Sequence, residues 1–152
     1  MIKVLFVCVG NICRSPMAEF ILKQMVADKG GSDKFEIDSA GTDGFNERLH
    51  LGMDCRAMDE LEYKGVPFFD RPSRQVRADD YAHFDYILAM DRQNIYSLLS
   101  IFGSDKEHKV HRLLDFTDEP KDVRDPWYTG DFDECYWDLF YGCQAFLETL
   151  KL

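Results

Sequence analysis

Val7-Cys8-Val9-Gly10-Asn11-Ile12-Cys13-Arg14-Ser15-Pro16 joins two stretches of different periodicity. Before it, Ile2 to Cys8 is an apolar run interrupted only by Lys3, the pattern of a strand covered on both faces. After it, Ala18, Ile21, Leu22, Met25 and Val26 recur at helical spacing until Gly30-Gly31. Ser15 is expected to cap that helix, and Pro16 to sit in its first turn, where a missing N–H costs nothing. A strand that runs through a tight loop into a helix N-terminus gathers backbone N–H groups at one point, and the helix dipole adds positive potential there. The loop therefore reads as an anion cradle made by Val9, Gly10, Asn11, Ile12, Cys13 and Ser15. Gly10 and Asn11 are the residues expected to take the left-handed backbone that a tight cradle demands.

Outward from this stretch, β and α patterns alternate. Phe35–Gly41 reads as a second strand, which makes a βαβ unit with a right-handed crossover. Thr42–Gly52 is a polar loop carrying Phe45, Asp54–Lys64 a helix, Val66–Arg77 irregular, and Ala78–His83 a short helix. Phe84–Met90 is the third strand, followed by a helix over Arg92–Phe102 capped by Asp91. Lys109–Leu114 is a fourth strand, and Asp115–Gly130 a long acidic loop. The last helix, Asp131–Leu150, carries one apolar stripe of Phe132, Cys135, Tyr136, Leu139, Cys143, Phe146, Leu147 and Leu150. The expected fold is one α/β domain over residues 1–152, an open four-stranded parallel sheet with helices on both faces. Ligands of such sheets bind beyond the C-terminal strand ends, where Cys8, Gly41, Asp91 and the loop after Leu114 fall.

Composition narrows the function. The net charge of −10 disfavours nucleic acid or an anionic membrane as partner. No apolar run is long enough for a membrane span and no signal-peptide pattern opens the chain. Five cysteines with no secretion signal favour free thiols and a cytoplasmic location over a disulfide framework. No Cys-x-x-Cys pair is present, and His50, His83, His108 and His111 have no metal spacing, so neither metal nor cofactor is expected.

Only Cys8 among the five cysteines is followed, after five intervening residues, by an arginine, Arg14. A helix N-terminus with a nearby cation lowers a thiol pKa from about 8.5 into the range of roughly 3.5–7.5. A guanidinium grips two phosphate oxygens at once. Cys8 is thus the expected nucleophile on a phosphate ester and Arg14 the group that binds the phosphate.

The loop resembles the active-site loop of the low-molecular-weight protein tyrosine phosphatases. Asp38-Ser39-Ala40-Gly41-Thr42, Phe84-Asp85-Tyr86-Ile87-Leu88-Ala89-Met90-Asp91 and Asp125-Pro126-Trp127-Tyr128 match that family's other signature segments in order, so the resemblance spans essentially the whole chain. It implies a phosphatase acting on phosphotyrosine proteins through a phospho-cysteine. It further implies Asp125 as general acid and then base, and Ser15 as a donor to the Cys8 thiolate. Phe45, Trp127 and Tyr128 are expected as aromatic walls for an aryl ester, with Trp127 where a tyrosine is common. Cys13 is expected to form a reversible disulfide with the nucleophile. The histidine that the family often carries before its Ala-Arg-Gln segment is replaced by Asp70-Arg71-Pro72-Ser73-Arg74-Gln75. Two rival readings stand beside this one. An arsenate reductase on the same scaffold lacks its relay cysteines, since none lies between Cys55 and Cys135. A non-catalytic phosphate-binding or redox-sensing module would not need the nucleophile, the arginine and the acid together. A monomer is expected.

Overall fold

A computed structural model describes residues 1–151. Four strands, β1 (Ile2–Cys8), β2 (Phe35–Gly41), β3 (Tyr86–Ala89) and β4 (Val110–Arg112), form one parallel sheet in the order β2-β1-β3-β4. β1 is central, pairing with β2 through Cys8 opposite Gly41 and with β3 through Val7 opposite Ala89. Because side chains alternate across a strand, β1 feeds both faces of the sheet. Val4 and Phe6 pack, with Leu88, into a core shared with α1 (Arg14–Asp28), α3 (Cys55–Tyr63) and α7 (Phe132–Thr149). Leu5 and Val7 pack, with Ile87 and Ala89, against Val76, Phe84 and Leu98 on the other face, where α5 (Arg92–Phe102) lies. Both faces are thus covered, which is why these strands read as continuous apolar runs.

The stripe on α7 is buried from Phe132 to Leu147, and Phe146 and Leu139 are fully enclosed. Each such side chain contributes about 1.5–3 kcal/mol through burial. α1 departs from a simple amphipathic helix, since every residue from Arg14 to Leu22 is buried. It runs between the sheet, α3 and α7, so it has little solvent face in its first two turns.

Several boundaries move. The helix starts at Arg14, with Cys13 in the cap position and no side-chain cap bond. Ser15 is therefore not the cap; its hydroxyl faces inward to Cys8 and Asn11. The loop after β2 contains a short helix, α2 (Phe45–Arg48). Residues 80–83 form the turn-length α4 (Asp80–His83). β4 stops at Arg112, where the chain turns into a 3-10 segment, Leu113–Phe116. The acidic loop also ends in one helical turn, α6 (Pro126–Thr129), capped by Asp125. Proline at the first helical position needs no N–H partner there, which fits it to this turn.

Candidate active site

The loop from Cys8 to Arg14 is held from outside by its carbonyls. Thr42 N donates to Cys8 O at 2.9 Å, Asp43 N to Val9 O at 3.0 Å, Asp54 N to Ile12 O at 2.9 Å, and Met17 N to Cys13 O at 3.1 Å. Asn46 Nδ2 donates to Gly10 O at 2.9 Å. Across a planar trans peptide the N–H points opposite to the C=O, so the N–H groups of residues 9, 10, 11, 13 and 14 turn away from these partners and into the loop. Asn11 N reaches Cys8 Sγ at 3.3 Å. The sharpest bend is at Asn11, with φ of 58°. Gly10 does not share that conformation, against expectation; its lack of a side chain instead admits Asn46, whose Nδ2 would lie 2.6 Å from an added Cβ. Gly41 is the other close approach, since a Cβ there would stand 2.5 Å from Val9 O.

Arg14 is buried, and its guanidinium is aimed by three groups. Nη1 donates to Asp91 Oδ2 at 2.7 Å and to Val123 O at 2.8 Å, while Nη2 lies 3.5 Å from Asp125 Oδ2. Burial works against its charge, but the facing Cys8, the hydrogen bond to Asp91 and the Asp125 carboxylate outweigh it and hold the group above the ordinary arginine range. Asp91 also caps α5, accepting from Asn94 N at 2.8 Å. The sequence revealed only that cap; the contact with Arg14, which lies far away along the chain, has no local signal.

Above the loop opens a cavity of about 630 Å³. Cys8, Val9, Gly10, Ile12, Cys13, Arg14, Phe45, Asp125, Trp127 and Tyr128 all line it, whereas Asn11 and Ser15 lie behind it and support the thiol. Asp125 Oδ1 accepts from Trp127 N at 3.0 Å, which leaves Oδ2 toward Arg14. Phe45, Trp127 and Tyr128 are exposed and form the mouth. Sequence reading missed Leu51, Met53, Asp54 and Arg56, which also line the cavity. The Arg56 guanidinium lies 5.3 Å from the Trp127 ring centre and 4.9 Å from that of Phe132, and it is held by Asp54. Arg56 thus makes cation–π contacts with the Trp127 wall and with Phe132.

Cys13 faces Asp54. Burial, then Asp54, Cys8 and Asp125, push its thiol far up, so it stays protonated. Burial does the same to Cys135 and Cys143, the two cysteines of the α7 stripe. Cys55 is exposed at the rim of the cavity. Among the described residues no group of three or more His, Cys, Asp or Glu side chains converges as metal ligands.

Comparison with known proteins places this geometry. The family model described as low molecular weight phosphotyrosine protein phosphatase matches residues 3–152. The chain is similar to the low molecular weight protein-tyrosine-phosphatase YfkJ of Bacillus subtilis, at 42% identity over 99% of this chain and 97% of that protein. The crystal structure of YfkJ superposes with a TM-score of 0.92, covering 99% of this chain and 95% of that one. The human low molecular weight phosphotyrosine protein phosphatase is 37% identical over 96% of this chain and 94% of its own. A structure described as drosophila arginine phosphatase is also similar, with a TM-score of 0.88, 33% identity and 99% of each chain covered. With a match that runs through the loop, the sheet and the Asp125 turn alike, the chain belongs to the low molecular weight phosphotyrosine protein phosphatase family.

Proposed function

We propose that this protein hydrolyses phosphotyrosine in proteins, and small aryl phosphates, through a covalent phospho-Cys8. The observation that carries the reading is the convergence on one point: the Cys8 thiol, the inward loop amides, the Arg14 fork and the Asp125 carboxyl. Cys8 Sγ attacks phosphorus, the aryl O–P bond breaks, and its electron pair leaves on the phenol oxygen. Asp125 gives that oxygen a proton. Arg14 and the loop N–H groups take up the charge of the equatorial oxygens, which is where phosphoryl transfer needs stabilisation. Water then attacks phosphorus, Asp125 takes its proton, and the S–P bond breaks to return the Cys8 thiolate and free phosphate. No metal or cofactor has a part in these steps.

The aromatic mouth supports an aryl ester over a short alkyl one, because Phe45, Trp127 and Tyr128 line the same cavity as Cys8 and offer flat ring surfaces for a phenyl group. The same reading has the chain working as a single domain and a monomer in the cytoplasm, where free thiols persist. In that setting Cys13 protects the nucleophile: a sulfenic acid on Cys8 and the Cys13 thiol condense to a disulfide and water.

The test is turnover of p-nitrophenyl phosphate and of a phosphotyrosine peptide in EDTA, with phosphoserine peptide and phosphoarginine as comparators. Wild type turns over the two aryl substrates best, Cys8→Ser is inactive, and Asp125→Ala loses about 10²–10⁴ in kcat while still binding substrate. An active Cys8→Ser, or a preference for phosphoarginine, overturns the reading.

A further inference from the structure

The chain that leads into Asp125 has no regular structure: residues 118–124 belong to no helix or strand. Among the described residues, the only backbone–backbone hydrogen bond of that stretch runs from Val123 N to Met90 O, at 2.9 Å. A segment with so few backbone bonds takes its place largely from its side chains. Two of them reach out to regular elements. Asp122 Oδ1 accepts from Arg92 N, the first amide of α5, at 3.0 Å, and from Arg112 Nη1, at the end of β4, at 2.9 Å. Arg124 forms a two-pronged pair with Glu134 in the first turn of α7, Nε to Oε1 at 2.8 Å and Nη2 to Oε2 at 2.5 Å. Arg112 also meets Asp115 at 2.8 Å, and Lys121 approaches Asp138 at 3.7 Å.

We propose that Asp122 and Arg124 are positioning residues for the general acid: one pins the segment to α5 and β4, the other to α7, and together they set where the Asp125 carboxyl meets the leaving oxygen. The inference rests on the reading of Asp125 as proton donor. That carboxyl has to come within hydrogen-bond reach of the oxygen it protonates. Its own contacts do not hold it there. Oδ1 accepts from Trp127 N inside its own turn, and Oδ2 stands 3.5 Å from Arg14 Nη2, longer than a charge-assisted hydrogen bond. Exposed ion pairs as a rule add little, but a fork-to-fork arginine–carboxylate pair and a joined set of charges are the exceptions. Arg124 with Glu134 is the first kind. Asp122, Arg112 and Asp115 are the second, built on an Arg112 side chain only 11% exposed.

The leaving group reports where the acid sits. p-Nitrophenolate departs with little help, whereas a phenol as weakly acidic as tyrosine, with a pKa of about 10, needs the proton. For p-nitrophenyl phosphate and phenyl phosphate alike, kcat/KM reads the formation of phospho-Cys8. Their ratio rises when the acid is misplaced, while a loss of folded enzyme lowers both and leaves the ratio unmoved. Asp125→Ala sets the full rise. Asp122→Ala and Arg124→Gln are each expected to raise the ratio about two- to fivefold, the scale of one ion pair, and the double variant to raise it further. Arg124→Glu alone raises it as well. Arg124→Glu/Glu134→Arg restores the pair with its charges exchanged and brings the ratio back toward wild type, which a role of the Arg124 charge alone would not do. The control Arg77→Gln, on an exposed side chain, is unchanged. Wild-type ratios for Asp122→Ala and Arg124→Gln beside a raised ratio for Asp125→Ala overturn this proposal alone, as does an exchanged pair no better than Arg124→Glu. An unchanged ratio for Asp125→Ala removes the acid itself, and the functional reading falls together with this one.

Discussion

Arg14 and Asp91 share a 2.7 Å hydrogen bond between Nη1 and Oδ2, and the other oxygen of the same carboxylate caps α5 through Asn94 N. One side chain thus ties Arg14 to the start of a helix on the far face of the sheet. Asp91→Asn keeps an oxygen for the cap but loses the charge that aims Arg14. We expect its thermal stability to change little. Its kcat/KM for aryl phosphate should fall roughly 10–100-fold, the worth of a buried hydrogen bond to a charged group. Asp91→Ala adds the loss of the cap, about 1 kcal/mol of stability in urea unfolding. Equal kinetics for Asp91→Asn and wild type would detach Asp91 from the site.

Cys13 lies in the same cavity as Cys8, and burial and Asp54 hold it as a thiol. Hydrogen peroxide should therefore inactivate the wild type reversibly, with activity restored by dithiothreitol and a Cys8–Cys13 disulfide seen by peptide mass. In Cys13→Ser the Cys8 sulfenic acid has no partner and proceeds to sulfinic acid, so dithiothreitol should restore little. Full recovery in Cys13→Ser would remove Cys13 from this role.

Asp105 gathers the turn before β4. It accepts from Tyr81 Oη at 2.7 Å, from Lys109 N at 2.8 Å and from Val110 N at 3.2 Å. Burial raises its proton affinity, but the Tyr81 hydroxyl and the two amides outweigh burial and hold it below the usual carboxylate range. A depressed carboxylate adds stability that is present above the unfolded value, about pH 3.9, and is lost as pH falls through the folded one. Asp105→Asn should cost about 1–2 kcal/mol at neutral pH, discounted for partial exposure. That gap should close as urea titrations are repeated below about pH 4. A gap independent of pH would mean that packing, not charge, is what the substitution removes.

What the sequence disclosed follows from how each feature is encoded. β1, β2 and the α7 stripe are local patterns of apolar residues, and these stand where they were expected. The loop was legible because its turn, its thiol and its arginine are neighbours along the chain. Ser15 misled because serine before proline at a helix start looks like a cap, whereas the cradle needs its hydroxyl inside. Gly10 misled because a glycine beside an asparagine suggests a left-handed pair, and only Asn11 bends that way. Glu19 pairs with Lys23 one turn on, but it is also buried against Arg71 from a segment with no regular structure. Buried charges leave no periodic trace, so contacts such as Arg14–Asp91 and Arg71–Glu19 emerge only when the sheet brings their segments together.

The central claim is a phosphorylated Cys8, and trapping it tests that claim most directly. Asp125→Ala enzyme is mixed with p-nitrophenyl phosphate, quenched in acid within the first turnovers, digested and analysed by mass spectrometry. The loss of the base for the second step should let the intermediate accumulate. The account predicts one phosphoryl group on the peptide that contains Cys8, absent from Cys8→Ser/Asp125→Ala. Steady turnover with no phosphoryl group on that peptide, or a phosphoryl group on another residue, would contradict it.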